Sequence, residues 1–140
     1  MSVQNLRELR DRQKKIAEKT VVEDGFRNPI TRVAGIDLAF KGDIAITVYV
    51  AMDFPSLKLV YKKTVMSILK FPYIPTLLSF REGPPIVDII NSLDVKLEVF
   101  RINAQGIVHP LFCGCASYVG VLTKNSTIVV AQSNLWTIQL

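Results

Sequence analysis

Hydrophobic positions alternate with polar ones at two different periods along this chain, and the change of period divides it into elements. Val3, Leu6, Leu9, Gln13 and Ile16 recur at helical spacing and predict an amphipathic first helix. Its polar side carries Arg7, Arg10, Arg12, Lys14, Lys15 and Lys19 among Glu8, Asp11 and Glu18. That side reads as a solvated face with a basic bias, phosphate contact being the alternative. Residues 20–31 form a connector, with turn signals at Glu23-Asp24-Gly25 and Asn28-Pro29. Three strands are then predicted, over 32–40, 44–52 and 57–66, separated by Lys41-Gly42-Asp43 and Phe54-Pro55-Ser56. Such short turns imply an antiparallel meander. Ile86, Ile89, Ile90 and Leu93 define a helix that opens at Gly83-Pro84-Pro85, with proline in its first turn. A fourth strand over 95–103 follows, then a helix carrying Leu111, Cys115, Tyr118, Val119 and Leu122, then a fifth strand over 127–131. The order implies a mixed sheet flanked by helices, its last pairings parallel through right-handed crossovers.

Composition fits this picture. In 140 residues, 49% are hydrophobic and 21% charged, which describes one globular domain with a real core. A net charge of +5 suits a polyanionic partner such as nucleic acid. No apolar run is long enough for a membrane span. The N-terminus is charged and lacks a signal peptide's apolar stretch, so the expected location is intracellular: the cytoplasm, or the nucleus in a eukaryote. Cys113 and Cys115 lie too close together to suggest a structural disulfide.

Two places carry candidate chemistry. Asp37 stands alone in the apolar strand Arg32–Phe40, where a buried carboxylate is costly unless paired, hydrogen-bonded or metal-bound. The plainer alternative is a surface residue on an edge strand. Between the third strand and the next helix, Pro72 and Pro75 bracket Tyr73-Ile74 in a stiff, extended turn. Arg81-Glu82 follows, and Glu82 at a helix start could be a metal ligand, a cap or the ion-pair partner of Arg81. His109, Cys113 and Cys115 offer three zinc-type ligands, but a structural zinc site wants four.

An Asp in the first strand of this element order resembles the ribonuclease H-like fold. Four segments carry a more specific resemblance, to endonuclease V: Val33-Ala-Gly-Ile-Asp-Leu-Ala-Phe40, Phe71-Pro-Tyr-Ile-Pro75, Leu78-Ser-Phe-Arg-Glu-Gly-Pro84 and Gln105-Gly-Ile-Val-His-Pro110. The likeness continues through Gly114, Ala116-Ser117 and Gly120-Val121-Leu122. It implies Mg²⁺-dependent hydrolysis, with Mn²⁺ as a substitute, of the second phosphodiester bond 3′ to inosine in DNA or RNA. It implies metal ligands at Asp37, Glu82 and Asn103. Pro72, Tyr73, Ile74 and Pro75 match a wedge that fills the gap left by a displaced base. Thr76, Leu78, Ala104 and Gly106 match the base pocket, and His109 and Gln132 match active-site positions near the scissile strand.

The departures from that family also fall on the chemistry. Asn103 stands where the family has Asp, so one metal ligand has lost its charge. Thr76 and Ala104 replace pocket glycines, Leu111 an arginine, Tyr118 a histidine and Gln132 a lysine. The last sixteen residues, Asn125–Leu140, carry no charge. The family continues beyond this point, so the expectation is a single domain, residues 1–140, lacking the family's C-terminal part. An uncovered apolar tail would favour self-association. The resemblance thus implies an endonuclease V-type protein of reduced activity, the alternative being a non-catalytic relative that binds nucleic acid or only retains the fold.

Overall fold

A computed structural model describes residues 2–95 and 97–130. Five strands form one sheet: β1 (Arg32–Lys41), β2 (Ile44–Asp53), β3 (Leu59–Ile68), β4 (Val99–Ile102) and β5 (Thr127–Val129). Their order across the sheet is β3-β2-β1-β4-β5. β1 pairs antiparallel with β2, and β2 with β3, completing the expected meander. β4 lies parallel to β1, and β5 parallel to β4. This is the ribonuclease H-like mixed sheet, with β1 at its centre.

Three helices accompany it: α1 (Val3–Ala17), α2 (Leu78–Asn91) and α3 (Cys115–Thr123). Ser2 caps α1 by accepting the Asn5 amide at 3.2 Å. The core gathers one side of each strand under these helices. Ala34 and Ile36 of β1, Tyr49 and Ala51 of β2, and Phe100 and Ile102 of β4 meet Ile16, Phe80, Ile86, Ile89 and Val119. The period of two in the strands and of three to four in the helices therefore converges on one interior. Among the described residues no helix is long and apolar enough to cross a membrane.

Several expected boundaries move: α3 begins only at Cys115, which leaves Leu111 before the helix, and three further shifts have a physical reason. α2 begins at Leu78, five residues before Gly83, so Pro84 and Pro85 lie inside the helix rather than in its first turn. They remove the amide donors that would reach the Phe80 and Arg81 carbonyls. Burial of Leu77, Phe80, Gly83, Ile86 and Ile89 on one face carries the helix through that gap. Glu82 is consequently an intrahelical residue and not a helix-start carboxylate. β3 begins at Leu59 because Leu57 adopts a left-handed φ of 57° and donates to the Asp53 carbonyl at 2.8 Å, closing the turn. β4 is only four residues long, as its pairing with β1 runs from Val33↔Val99 to Ile36↔Ile102 and stops.

Candidate active site

The end of β4 creates the site. One residue beyond the last parallel pair, β1 continues to Asp37 while the chain of β4 turns away at Asn103. The Asn103 amide still donates to the Ile36 carbonyl at 3.3 Å, which fixes its side chain beside Asp37. Asn103 Nδ2 donates to Asp37 Oδ1 at 3.3 Å. The same oxygen accepts the Leu38 backbone amide at 2.9 Å. Asp37 is exposed, although it belongs to the central strand. The cost of a buried lone carboxylate therefore does not arise, and neither does the edge-strand alternative. The site is a notch at the carboxyl end of parallel strands, where open sheets of this kind place ligands.

Glu82 approaches from α2 and is half-buried. Burial raises its pKa above the usual 4.5; the Arg81 guanidinium opposes that shift and the Asp37 charge adds to it. The two carboxylates therefore share one electrostatic neighbourhood. Among the described residues no three Asp, Glu, His or Cys side chains form a metal-holding group. The polar side chain that touches Asp37 at the notch is the amide of Asn103.

The turn that follows the notch is held by α3. The Ala116 amide donates to the Gln105 carbonyl at 3.0 Å, and the Gly114 amide to the Gly106 carbonyl at 2.9 Å. A Cβ on Gly114 would lie 2.3 Å from the Gln105 carbonyl oxygen, so this approach requires glycine. Gly106 is buried, and a Cβ there would meet Val129 at 2.6 Å. Ala104 is half-buried against the core.

The proline-bracketed turn projects from the same end of α2. Tyr73 is 68% exposed, Pro72 and Pro75 are exposed, and Ile74 packs partly against the core. Leu78, the first residue of α2, is half-buried. Thr76 has a φ of 70°, in the left-handed region that favours glycine, and its buried hydroxyl has no hydrogen-bond partner among the described residues. Arg81 donates to the Phe71 carbonyl and lies 5.8 Å from the Phe40 ring centre.

His109 is buried, at 8% exposure, and turns toward this loop. Its Nδ1 accepts the Leu111 amide at 3.1 Å, so the ring proton sits on Nε2, which donates to the Thr76 carbonyl at 3.0 Å. Burial is the main cause that lowers its pKa from 6.5. Cys113 and Cys115 are buried in the core, and desolvation raises both thiols, Cys113 to about 11. Among the described residues these thiols and His109, whose two ring nitrogens are both hydrogen-bonded, form no metal-holding group.

A family model described as endonuclease V matches residues 14–139. The chain belongs to the endonuclease V family. The endonuclease V of Roseiflexus sp. (strain RS-1) is 37% identical over 131 residues, covering 94% of this chain and 59% of its own length. That of Archaeoglobus fulgidus is 34% identical over 133 residues, covering 94% and 60%. Among solved structures, the catalytic domain of human endonuclease V matches with a TM-score of 0.90 at 26% identity, over 95% of this chain and 60% of that one. Ciona intestinalis endonuclease V, in complex with a 24mer DNA containing an inosine followed by a ribo-adenosine, matches with a TM-score of 0.84 at 27% identity, over 94% and 59%. The chain thus spans about three fifths of the length of these endonuclease V relatives.

Three contacts around this candidate site go beyond the sequence reading. Gln13 sits on α1 at a core position and donates to the Thr76 carbonyl at 2.7 Å. Arg81 ties the loop to the end of β1. Gly83 makes room for Tyr118, whose ring atoms would lie 2.4 Å from a Cβ at that position. Gln13 had a signal, a polar residue in an otherwise apolar helical series; the contact of Gly83 with Tyr118 had none. Gln132 lies outside the described residues. So does most of the uncharged tail, from residue 131 onward, on which self-association was expected.

Proposed function

We propose that this chain acts as an endonuclease V-type hydrolase inside the cell on inosine-containing DNA or RNA, with cleavage strongly reduced. The observation that carries this reading is the pairing of Asp37 with Asn103 at the end of β1, with Glu82 close enough for its pKa to feel the Asp37 charge.

The donors suit Mg²⁺, or Mn²⁺ in its place. Both prefer hard oxygen ligands, and Mg²⁺ keeps several waters, so two carboxylates and one amide oxygen form an adequate protein contribution. Asp37, Glu82 and Asn103 would hold the ion. When bound, it supplies Lewis acidity and neutralises charge on a phosphodiester. The residues of the chain do the rest. Asp37 and Glu82 bring the negative charge. Asn103 contributes a dipole but no charge, provided its amide turns its oxygen toward the ion instead of its Nδ2 toward Asp37. Loss of a charged ligand accounts for reduced turnover of the family reaction, cutting the second phosphodiester bond 3′ to inosine.

Pro72, Tyr73, Ile74 and Pro75 act as the wedge. An exposed aromatic on a stiff turn can fill the space of an unstacked base and offset an unstacking cost of a few kcal/mol. Thr76, Leu78, Ala104 and Gly106 border the pocket for the displaced base, and the methyl groups of Thr76 and Ala104 narrow it. His109 works through the Thr76 carbonyl, which its ring holds. Gln132 is assigned by resemblance to the scissile strand.

A second reading, binding of nucleic acid without cleavage, is favoured by one observation: Asn103 donates to Asp37, an arrangement that satisfies the notch without a cation. Single-turnover assays with inosine-containing DNA and RNA, in Mg²⁺ and in Mn²⁺, separate the two. Slow metal-dependent cuts at one defined bond support the first reading. Tight binding with no cut in either metal supports the second.

A further inference from the structure

Gln13 is a fully buried polar side chain, 0% exposed, on a helix whose other inward positions are apolar. Its Nε2 donates to the Thr76 carbonyl at 2.7 Å, across 63 residues of sequence, and lies 3.5 Å from Ser79 Oγ. Its Oε1 has no hydrogen-bond partner among the described residues. A buried, half-satisfied amide is costly, so its position is not explained by stability. What it does accomplish is geometric. The Thr76 carbonyl receives two donors, Gln13 Nε2 and His109 Nε2, from two different parts of the fold. They fix the far end of the 71–76 loop at the residue with the left-handed φ. Arg81 fixes the near end through the Phe71 carbonyl. Between the two anchors, Tyr73 projects into solvent.

We propose that Gln13 is a positioning residue for duplex opening: with His109 it clamps the Thr76 carbonyl and so holds Tyr73 at the angle needed to enter a nucleic-acid duplex. This rests on the wedge reading given above. A loop free to rotate about Thr76 would have to be ordered at the moment of insertion, and that entropy would be lost from duplex binding. Single strands need no insertion and would be indifferent.

Gln13→Met keeps the length of the side chain and removes both the donor and the unpaired acceptor, so the fold should tolerate it. Gln13→Leu replaces it if the methionine variant does not fold. The first measurement is the rate of native-state cleavage by chymotrypsin after Tyr73. It should rise about tenfold in the variant with the thermal midpoint unchanged; an unchanged rate overturns the clamp. The second is fluorescence anisotropy with an inosine-containing strand, alone and in duplex. Duplex affinity should fall about tenfold while single-strand affinity stays within about twofold, and Gln13→Met combined with Tyr73→Ala should be no weaker than Tyr73→Ala alone. Equal losses on both substrates, or additive losses in the double variant, overturn the positioning role. A parent protein that binds neither strand nor duplex overturns the nucleic-acid reading and the use proposed for the clamp, whereas the protease rate decides the clamp itself.

Discussion

Asn103 donates its side-chain amide to Asp37 Oδ1 at 3.3 Å, onto the oxygen already occupied by the Leu38 amide. A neutral amide makes the metal-free notch comfortable, and a second carboxylate in its place would not. Asn103→Asp should therefore lower stability without metal by about 1–2 kcal/mol, from like-charge repulsion and a lost hydrogen bond. Added Mg²⁺ should restore it, because an ion that binds only the folded form stabilises that form. Thermal melts of parent and variant, with and without Mg²⁺, check this.

Glu82 yields a pH prediction of definite sign. Its folded pKa is raised, so the folded state holds the proton more tightly than the unfolded state does. Its contribution to stability is present below the unfolded value of 4.5 and is lost as pH rises through the folded value. Metal-free Glu82→Gln should thus melt at or above the parent's temperature at neutral pH, while Mg²⁺ affinity falls by more than about tenfold. In the parent, Mg²⁺ affinity should rise with pH, with a midpoint above 4.5. Calorimetric titrations across that range read both quantities.

The chain's one histidine gives the opposite sign. The folded pKa of His109 is lowered, chiefly by burial. Its contribution is complete above 6.5 and is lost as pH falls through the folded value, with a slope of at most about 1.4 kcal/mol per pH unit. Protonating Nδ1 also breaks the hydrogen bond that it accepts from the Leu111 backbone N–H. Denaturant midpoints of parent and His109→Gln between neutral and mildly acidic pH should diverge below 6.5, with the variant flatter.

Thr76 is a β-branched residue in the left-handed region, with a buried hydroxyl that has no partner among the described residues. The backbone strain and the orphaned hydroxyl each cost on the order of 1–3 kcal/mol. Glycine gives back about 0.5–1 kcal/mol through greater unfolded-state entropy. Thr76→Gly should be net stabilising by about 1 kcal/mol or more, seen as a higher denaturant midpoint. A destabilised glycine variant would show that the loop relies on the threonine.

How far the sequence reveals this molecule differs from element to element. The meander is legible because β-branched alternation and two short turns leave few other ways to pair 32–66. The parallel strands follow from the helices placed between them. The start of α2 is not legible from Gly83-Pro84-Pro85, since a continuous buried face from Leu77 to Ile90 overrides the prolines. Nor is the start of β3, because Leu57 takes a backbone conformation that its residue type does not signal. In the site, Asp37 stands out as the one carboxylate in an apolar strand, but its exposure depends on where β4 stops, a tertiary fact. The clamp on Thr76 joins residues 13, 76 and 109, and no local pattern could bring those together.

The most direct measurement is single-turnover cleavage of an inosine-containing strand under titrated Mg²⁺, comparing the parent with Asn103→Asp and with Asn103→Asp combined with Ala104→Gly. On the proposed reading Asn103→Asp supplies a charge to the metal site and Ala104→Gly removes a methyl group from the base pocket, so the two act on metal loading and on base admission. The predicted result is a slow parent, a single variant faster by about tenfold or more with half-saturation at lower Mg²⁺, and a double variant faster again. A parent that already cuts efficiently, or an Asn103→Asp protein that binds Mg²⁺ no more tightly than the parent, would contradict the reading of Asn103 as the residue that weakens this site.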